Sequence, residues 1–143
     1  MADDSVVPIV KEELFDGIFK AAPAGTADID AHSAMYISGD REVTIIGAAE
    51  TEANVRAYLG RTIKPFKYGY DSMVTLQTKF RNLAEYVAGG TITAGQYVKF
   101  EYGAGAVNRQ VIAWVPGTDD ADQIIGQAWV GGADTETVEI LEL

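Results

Sequence analysis

The feature that most constrains the fold is a series of short strand-like segments in the last third of the chain, separated by glycine-containing turns, of which residues 97–102 alternate in polarity. These segments cover residues 97–102, 109–115, 124–130 and 137–143. Alternation places the apolar side chains on one face of an extended strand. Because short strands with turns at regular spacing are typical of a small barrel or a barrel-like sandwich, this pattern predicts a β domain.

The middle of the chain fits the same domain and adds a helix. We expect strands over residues 35–37, 43–46 and 73–80. Residues 49–59 predict a helix, because their apolar side chains share one helical face and Gly60 can end it. Residues 82–88 fit either a strand or a single helical turn. The predicted fold is mainly β with minor α, a small β-barrel with one or two short helices.

The beginning of the chain reads as a separate arm, residues 1–31, ahead of a β-rich domain at residues 32–143. Apolar residues recur there at mostly helical spacing, and the small residues at 21–27 are typical of a linker. The apolar residues of this amphipathic segment are Ile9, Val10, Leu14, Phe15, Ile18 and Phe19. Such a stripe packs either on its own domain or on a neighbouring subunit, and the sequence leaves both open.

The residue content excludes several kinds of functional site. The chain has no Cys and a single His, His32. Disulfides, thiolate zinc sites and cysteine nucleophiles are therefore excluded, and so are metal sites built from several histidines. In addition, no apolar run approaches the roughly 18–20 residues of a membrane-spanning helix.

Charge is distributed unevenly along the chain. The formal net charge is −10, and this acidic balance disfavours binding to phosphate backbones. Residues 54–109 are net positive, whereas residues 1–53 and 110–143 are net negative. Either neighbouring subunits present complementary patches to each other, or the charges balance within one compact domain.

No arrangement of residues predicts catalysis. The sequence lacks the Gly-Lys-Ser/Thr of a phosphate-binding loop, and its glycine pairs lack the strand–helix context of a dinucleotide site. Asp119, Asp120 and Asp122 share one loop, but their spacing does not match an EF-hand, which favours a solvated turn over a calcium site. We therefore expect a protein without enzymatic activity, cofactor or bound metal.

A basic and aromatic stretch between residues 56 and 81 is the strongest candidate for binding. Interleaved cations and aromatic rings suit single-stranded nucleic acid, but the acidic net charge opposes that partner. A protein-facing surface with arginine and tyrosine anchors fits better. The candidate contact residues are Arg56, Arg61, Lys64, Lys67, Tyr68 and Tyr70.

The last part of the chain resembles the lambda-type head-decoration proteins of tailed phages. The resemblance rests on a strand ending in Ala113-Trp114, a Gly/Thr/Asp loop at 117–120, a strand containing Gly126, and a Thr-rich strand at 133–140. Residues 88–102 also resemble the start of related capsid-cement domains, where an Ile-x-x-Gly turn precedes an apolar strand. Together these motifs cover under half of the chain.

The resemblance implies a β-tulip-like domain that sits as a homotrimer on the outer surface of an icosahedral capsid. Such a protein binds the major capsid protein and cements neighbouring subunits against genome pressure, after synthesis in the host cytoplasm. The arm and the basic, aromatic stretch supply the candidate capsid contacts. Two other functions stay open: another phage structural module, such as a head fibre or tail-tube subunit, and a small ligand-binding β-barrel.

Overall fold

The computed structural model describes residues 18–79, 82–106 and 110–143, which form two closed five-stranded barrels. The first barrel contains β1 (Ile18–Pro23), β2 (Ala34–Gly39), β3 (Glu42–Ile45), β4 (Tyr58–Thr62) and β5 (Val74–Thr78). The second barrel contains β6 (Leu83–Ala88), β7 (Tyr97–Phe100), β8 (Gln110–Ala113), β9 (Gly126–Val130) and β10 (Thr137–Glu142). A short helix, α1 (Glu52–Arg56), precedes β4, and a single 3-10 turn (Ala121–Gln123) precedes β9. The predicted mainly β, barrel-type fold with short helices is confirmed.

The two barrels share one topology. In each, the strands are adjacent in the order first, third, second, fourth, fifth, and the fifth closes on the first. The first strand of each barrel is parallel to the third and antiparallel to the fifth. Each barrel also has its helical turn between the third and fourth strands. The chain is therefore a tandem structural repeat, which the sequence analysis did not predict.

A glycine at the same place in both barrels shows how closely the repeat is kept. Gly60 of β4 and Gly126 of β9 each pair with the second strand on one side and the fifth strand on the other. A Cβ at either position would overlap a backbone oxygen, that of Gln77 in the first barrel and that of Leu141 in the second. Only glycine lets the fourth and fifth strands approach this closely.

Each barrel is filled by its own inward-facing side chains. Met35 and Leu76 lie in the first interior, and neither is exposed. Phe100 and Ile140 lie in the second interior, where they are 2% and 0% exposed. Alternation along the strands produces this packing, in which apolar side chains form a separate core cluster for each barrel.

The first barrel packs against one end of the second with part of its outer face. Ala34, Ile46 and Tyr58 come from the first repeat, yet they are buried in one apolar cluster with Tyr86 and Phe100 of the second. The rings of Tyr58 and Phe100 meet edge to face, with centroids 4.8 Å apart. We term this contact the inter-barrel interface.

Residues 18–31 lie in the first barrel, where the sequence analysis placed the end of an arm and a linker. Ile18–Pro23 form β1, which pairs with β3 and β5, and Ile29 forms a bridge with Phe66. Pairing with strands distant in sequence outweighs the local helical spacing, so the boundary expected at residue 31 falls inside a barrel. Four of the predicted arm residues, Ile9, Val10, Leu14 and Phe15, lie outside the described residues.

The helix predicted over residues 49–59 is shorter in the structure. It covers Glu52–Arg56, and the side chain of Thr51 caps it by accepting a hydrogen bond from the Asn54 N–H at 3.3 Å. Tyr58 and Leu59 belong instead to β4, which pairs with β2 and β5. The ambiguous segment at residues 82–88 is a strand, β6.

Candidate interaction surfaces

The three neighbouring aspartates after β8 are engaged by cations of the chain itself. Asp119 Oδ1 accepts a hydrogen bond from Lys99 Nζ at 2.7 Å, and the two side chains are about one-tenth exposed. This bond, together with one from the Val115 N–H, lowers the pKa of Asp119. Among residues 18–79, 82–106 and 110–143, no group of three or more acidic or histidine side chains is placed to hold a metal ion.

Arg56 links the two barrels electrostatically. Its guanidinium donates to Asp120 Oδ2 at 2.7 Å and to Asp122 Oδ2 at 3.1 Å, and it also pairs with Glu52 on its own helix. The hydrogen bonds to Asp120 and Glu52 raise the pKa of Arg56. Arg56, a predicted partner contact, thus joins α1 to the loop after β8, and its contact with a partner stays a prediction.

A buried carboxyl group lies at the inter-barrel interface. Tyr58 of β4 and Tyr86 of β6 both donate to Glu142 Oε2, each at 2.6 Å. Burial raises the pKa of Glu142, and the two hydrogen bonds oppose that shift. Burial also raises the pKa of both tyrosines, so they remain neutral donors. Because Glu142 is 4% exposed, this trio joins the barrels rather than facing a substrate.

An open groove crosses the junction of the two barrels. It has a volume of about 490 Å³ and is lined by His32, Arg61, Leu83, Glu85 and Glu139. The Arg61 guanidinium also lies 5.4 Å from the centroid of the Tyr86 ring. Small-ligand sites are concave, mostly apolar and largely enclosed, so this charged, open groove does not favour the ligand-binding barrel as a function. No helix in the described part of the chain has the length and apolarity to cross a membrane.

The clearest exposed cluster of predicted contact residues lies in the loop between β4 and β5, residues 63–73, which we term the Lys–Tyr loop. Its exposed cations and rings are Lys64, Lys67, Tyr68 and Tyr70. Phe66, at 4% exposure, anchors the loop in the first core. The Tyr68 N–H donates to Asp28 Oδ1 at 2.8 Å, and Lys67 Nζ lies 5.0 Å from the centroid of the Tyr70 ring.

The tandem repeat shows that the Lys–Tyr loop is an extension. Eleven residues separate Thr62 from Val74, whereas six separate Val130 from Thr137 at the equivalent place in the second barrel. The shorter loop carries two acidic residues and no cation or aromatic ring. Loops that extend a shared scaffold commonly carry function, so the cations and rings concentrated here mark a candidate contact surface.

The remaining predicted contact residues are dispersed. Ile18 begins β1 and is 44% exposed, whereas Phe19 packs against the first core. Sequence reasoning also missed a set of exposed apolar residues on the second barrel: Leu83, Tyr97, Trp129 and Leu141. The strand pattern could have identified them, because the neighbours of a buried residue in a strand point outward. Polar residues are usual at such outward positions, so apolar ones there stand out.

The fold is similar to that of a solved phage protein. The match covers 88% of this chain and 92% of the N base of the head fibre gp8.5 of bacteriophage phi29, with a TM-score of 0.50 and 16% sequence identity. Neither a protein-family model nor a curated protein sequence matches the chain. At this identity the likeness shows a shared fold, and it does not single out the lambda-type decoration family.

Proposed function

We propose that this chain is a structural protein of a phage head and attaches to the outer surface of the capsid. The observation that carries the proposal is the fold shared with the base of a phage head fibre over most of both chains. The filled barrels and the concentration of candidate contacts on one exposed loop also favour a role based on surface contact.

On the capsid, the proposed role is cementing. Each copy contacts neighbouring major capsid subunits and holds them together, and the copies associate as homotrimers. A role of this kind needs no catalytic group, because its strength comes from many copies that each join more than one subunit. The protein is then part of the virion, on the outer side of the head.

The Lys–Tyr loop supplies the principal capsid contact in this proposal. Tyrosine and cationic side chains are effective anchors at protein interfaces because they bury a large area around a polar tip. Tyr70 is 82% exposed, so its ring is available to a partner. The anchored Phe66 limits the ordering cost that the loop incurs on binding.

The N-terminal residues supply a second contact in this proposal. Ile9, Val10, Leu14 and Phe15 precede Ile18, whose exposed side chain marks where this segment joins the first barrel. Full burial of each large apolar side chain against a capsid subunit contributes about 1.5–3 kcal/mol before the ordering cost. Two contacts on one copy also let it bridge two capsid subunits.

Co-sedimentation with heads of the phage that encodes this chain tests the proposal. We expect wild-type protein to pellet with the heads, and the double variant Lys67→Glu/Tyr70→Ala to bind at least about tenfold more weakly, because each lost anchor costs about 1–2 kcal/mol. Asp134→Lys, a charge change of the same size and opposite sign in the equivalent loop of the second barrel, is the control for charge alteration outside the Lys–Tyr loop and should bind normally. Wild-type protein that stays in the supernatant at every concentration would contradict the proposal.

A head-fibre base is the second candidate function, favoured by the nature of the structural neighbour. The two roles differ in what they do to the head. A cement raises the temperature at which heads release their DNA, whereas a fibre base binds without changing it. DNA release measured on heads with and without bound protein, monitored by a DNA-binding dye, distinguishes the two.

A further inference from the structure

We propose that the second barrel of one copy binds the first barrel of another copy, through the same kind of contact that joins the two barrels within a chain. The proposal identifies the self-association surface of the homotrimer proposed above and rests on that function only for the number of copies. It follows from comparing equivalent positions of the tandem repeat.

Within one chain, the first barrel uses a defined outer face for the internal contact. The Ile46 N–H donates to the Ala34 carbonyl at 2.9 Å, which holds these two residues side by side. Each is 1% exposed because the second barrel covers it. We term this surface the donor face.

The equivalent face of the second barrel is uncovered. The Trp114 N–H donates to the Tyr97 carbonyl at 2.8 Å, which repeats the bond between Ile46 and Ala34. The strand register gives the same equivalence. Tyr97 directly precedes Val98, which pairs with Gly126, and Ala34 directly precedes Met35, which pairs with Gly60. Tyr97 is 41% exposed and meets Trp114 edge to face at 6.1 Å.

Further exposed apolar residues lie on β6, β9 and β10 of the second barrel. Leu83 and Leu141 pair across β6 and β10 and are 52% and 42% exposed. Trp129 in β9 is 63% exposed and lines one shallow depression with Leu141 and Gln127, the strand partner of Tyr97. Exposed aromatic and aliphatic residues grouped in this way are typical of protein interfaces, where tryptophan and tyrosine dominate the binding energy.

At the end of the first barrel, one position equivalent to a covered residue of the second barrel is exposed. In the second barrel the accepting end is covered, and Phe100, which lies beneath Tyr58, is 2% exposed. Its equivalent in the first barrel is Ile37. Phe100 lies two residues after the strand partner of Gly126, and Ile37 lies two residues after the strand partner of Gly60. Each of them also pairs with a valine of the third strand of its barrel. Ile37 is 52% exposed. Each chain thus presents an exposed Tyr97 on the donor face of its second barrel and an exposed Ile37 at the accepting end of its first barrel.

Charge favours contact between unlike barrels. Residues 82–143 carry nine acidic and two basic side chains, whereas residues 18–81 carry seven acidic and eight basic ones. A symmetric contact between two second barrels would bring two strongly acidic surfaces together, whereas head-to-tail contact places the acidic barrel against a neutral one. Head-to-tail contacts of this kind close into rings when the rotation between copies permits.

Sedimentation velocity on the full chain tests the proposed interface. Tyr97→Glu removes the donor face and leaves the accepting end, whereas Ile37→Glu does the reverse. We expect wild-type protein to associate and each variant alone to sediment as a monomer. Tyr70→Glu, the same kind of change on the Lys–Tyr loop, is the matched control and should associate like the wild type. Circular dichroism and thermal melts establish that each variant is folded.

Mixing the two variants is the decisive step. An equimolar mixture of Tyr97→Glu and Ile37→Glu retains one intact donor face and one intact accepting end, so it should form a heterodimer and no larger species. A mixture that stays monomeric, or wild-type protein that never associates, would overturn the interface. If the protein associates in solution but does not bind heads, the proposed function is overturned and this interface stands. If the protein binds heads as a monomer, this interface is overturned and attachment to the head stands.

Discussion

The buried carboxyl at the inter-barrel interface predicts that one part of the stability of this protein decreases as pH rises. Burial raises the pKa of Glu142 from its usual value near 4.5. The folded protein therefore holds this proton more tightly than the unfolded chain does. Its contribution to stability is complete below the unfolded pKa and is lost as pH rises through the folded pKa.

The substitution Glu142→Gln isolates this contribution. Glutamine keeps an oxygen that can accept from Tyr58 and Tyr86, but it does not ionise. One proton limits the slope, so the stability of the wild type relative to the variant should fall by at most about 1.4 kcal/mol per pH unit between the unfolded and folded pKa. Below pH 4 and above the folded pKa, the difference between the two proteins should be constant.

Removing one donor should enlarge the same effect. Tyr58→Phe deletes a hydrogen bond that opposes the upward shift, so the pKa of Glu142 should rise further. Above that pKa the variant should lose about 1.5–3 kcal/mol, because a buried carboxylate loses a donor, and it should lose less in acid. Tyr70→Phe, on a ring that is 82% exposed, is the matched control.

Urea unfolding followed by circular dichroism from pH 3 to pH 8 measures these differences in the free energy of unfolding. Comparing each variant with the wild type at the same pH cancels the contributions of the other carboxylates. The reasoning about burial would be refuted if the free energy of unfolding of the wild type, relative to that of Glu142→Gln, stayed constant or increased as pH rises.

Two further predictions concern stability. Gly126→Ala should destabilise the protein by about 1–3 kcal/mol or more, because its Cβ would overlap the backbone oxygen of Leu141, whereas Gly47→Ala, with no atom within 4 Å of its Cβ, should be nearly neutral in the same thermal melts. Lys99→Met should cost about 1.5–3 kcal/mol near neutral pH, because the carboxylate of Asp119 loses its closest cation. Since the contact with Lys99 lowers the pKa of Asp119, this loss of stability should diminish as pH falls through the pKa of Asp119 in the folded protein. Unfolding of both proteins measured over a series of acidic pH values checks this prediction.

The strands of the second barrel were the most predictable part of the fold. Short apolar segments between glycine-containing turns are a local signal, and the structure places β7, β8, β9 and β10 within the segments expected from the sequence. β1 was missed because it exists through pairing with β3 and β5, more than fifteen residues away, while its own sequence has helical spacing. Local periodicity cannot report a strand whose stability comes from distant partners.

The tandem repeat was missed for a related reason. A barrel interior requires only apolar residues at alternate positions, so two barrels of one topology need share few identities. The short matches that remain are Gly25-Thr26 with Gly90-Thr91, Arg41 and Val43 with Arg109 and Val111, and Gly60 with Gly126. They become informative only when their order is compared with the order of the strands.

The candidate contact surface stays a prediction, although part of its grouping was visible in the sequence. The cations and rings near residues 64–70 were identified from sequence, and the structure groups them on one exposed loop. Arg56 was placed in the same surface because charge patterning does not show which carboxylates fold back onto it. The donor face on the second barrel was not predicted, because exposure of the outward residues depends on which barrel is covered by the other.

Electron cryomicroscopy of phage heads mixed with the purified protein tests the central claim, attachment to the outer surface of the capsid, most directly. The account predicts additional density outside the capsid shell into which the two barrels fit, with the Lys–Tyr loop directed at the major capsid protein. Heads whose outer surface is unchanged at saturating protein would contradict it.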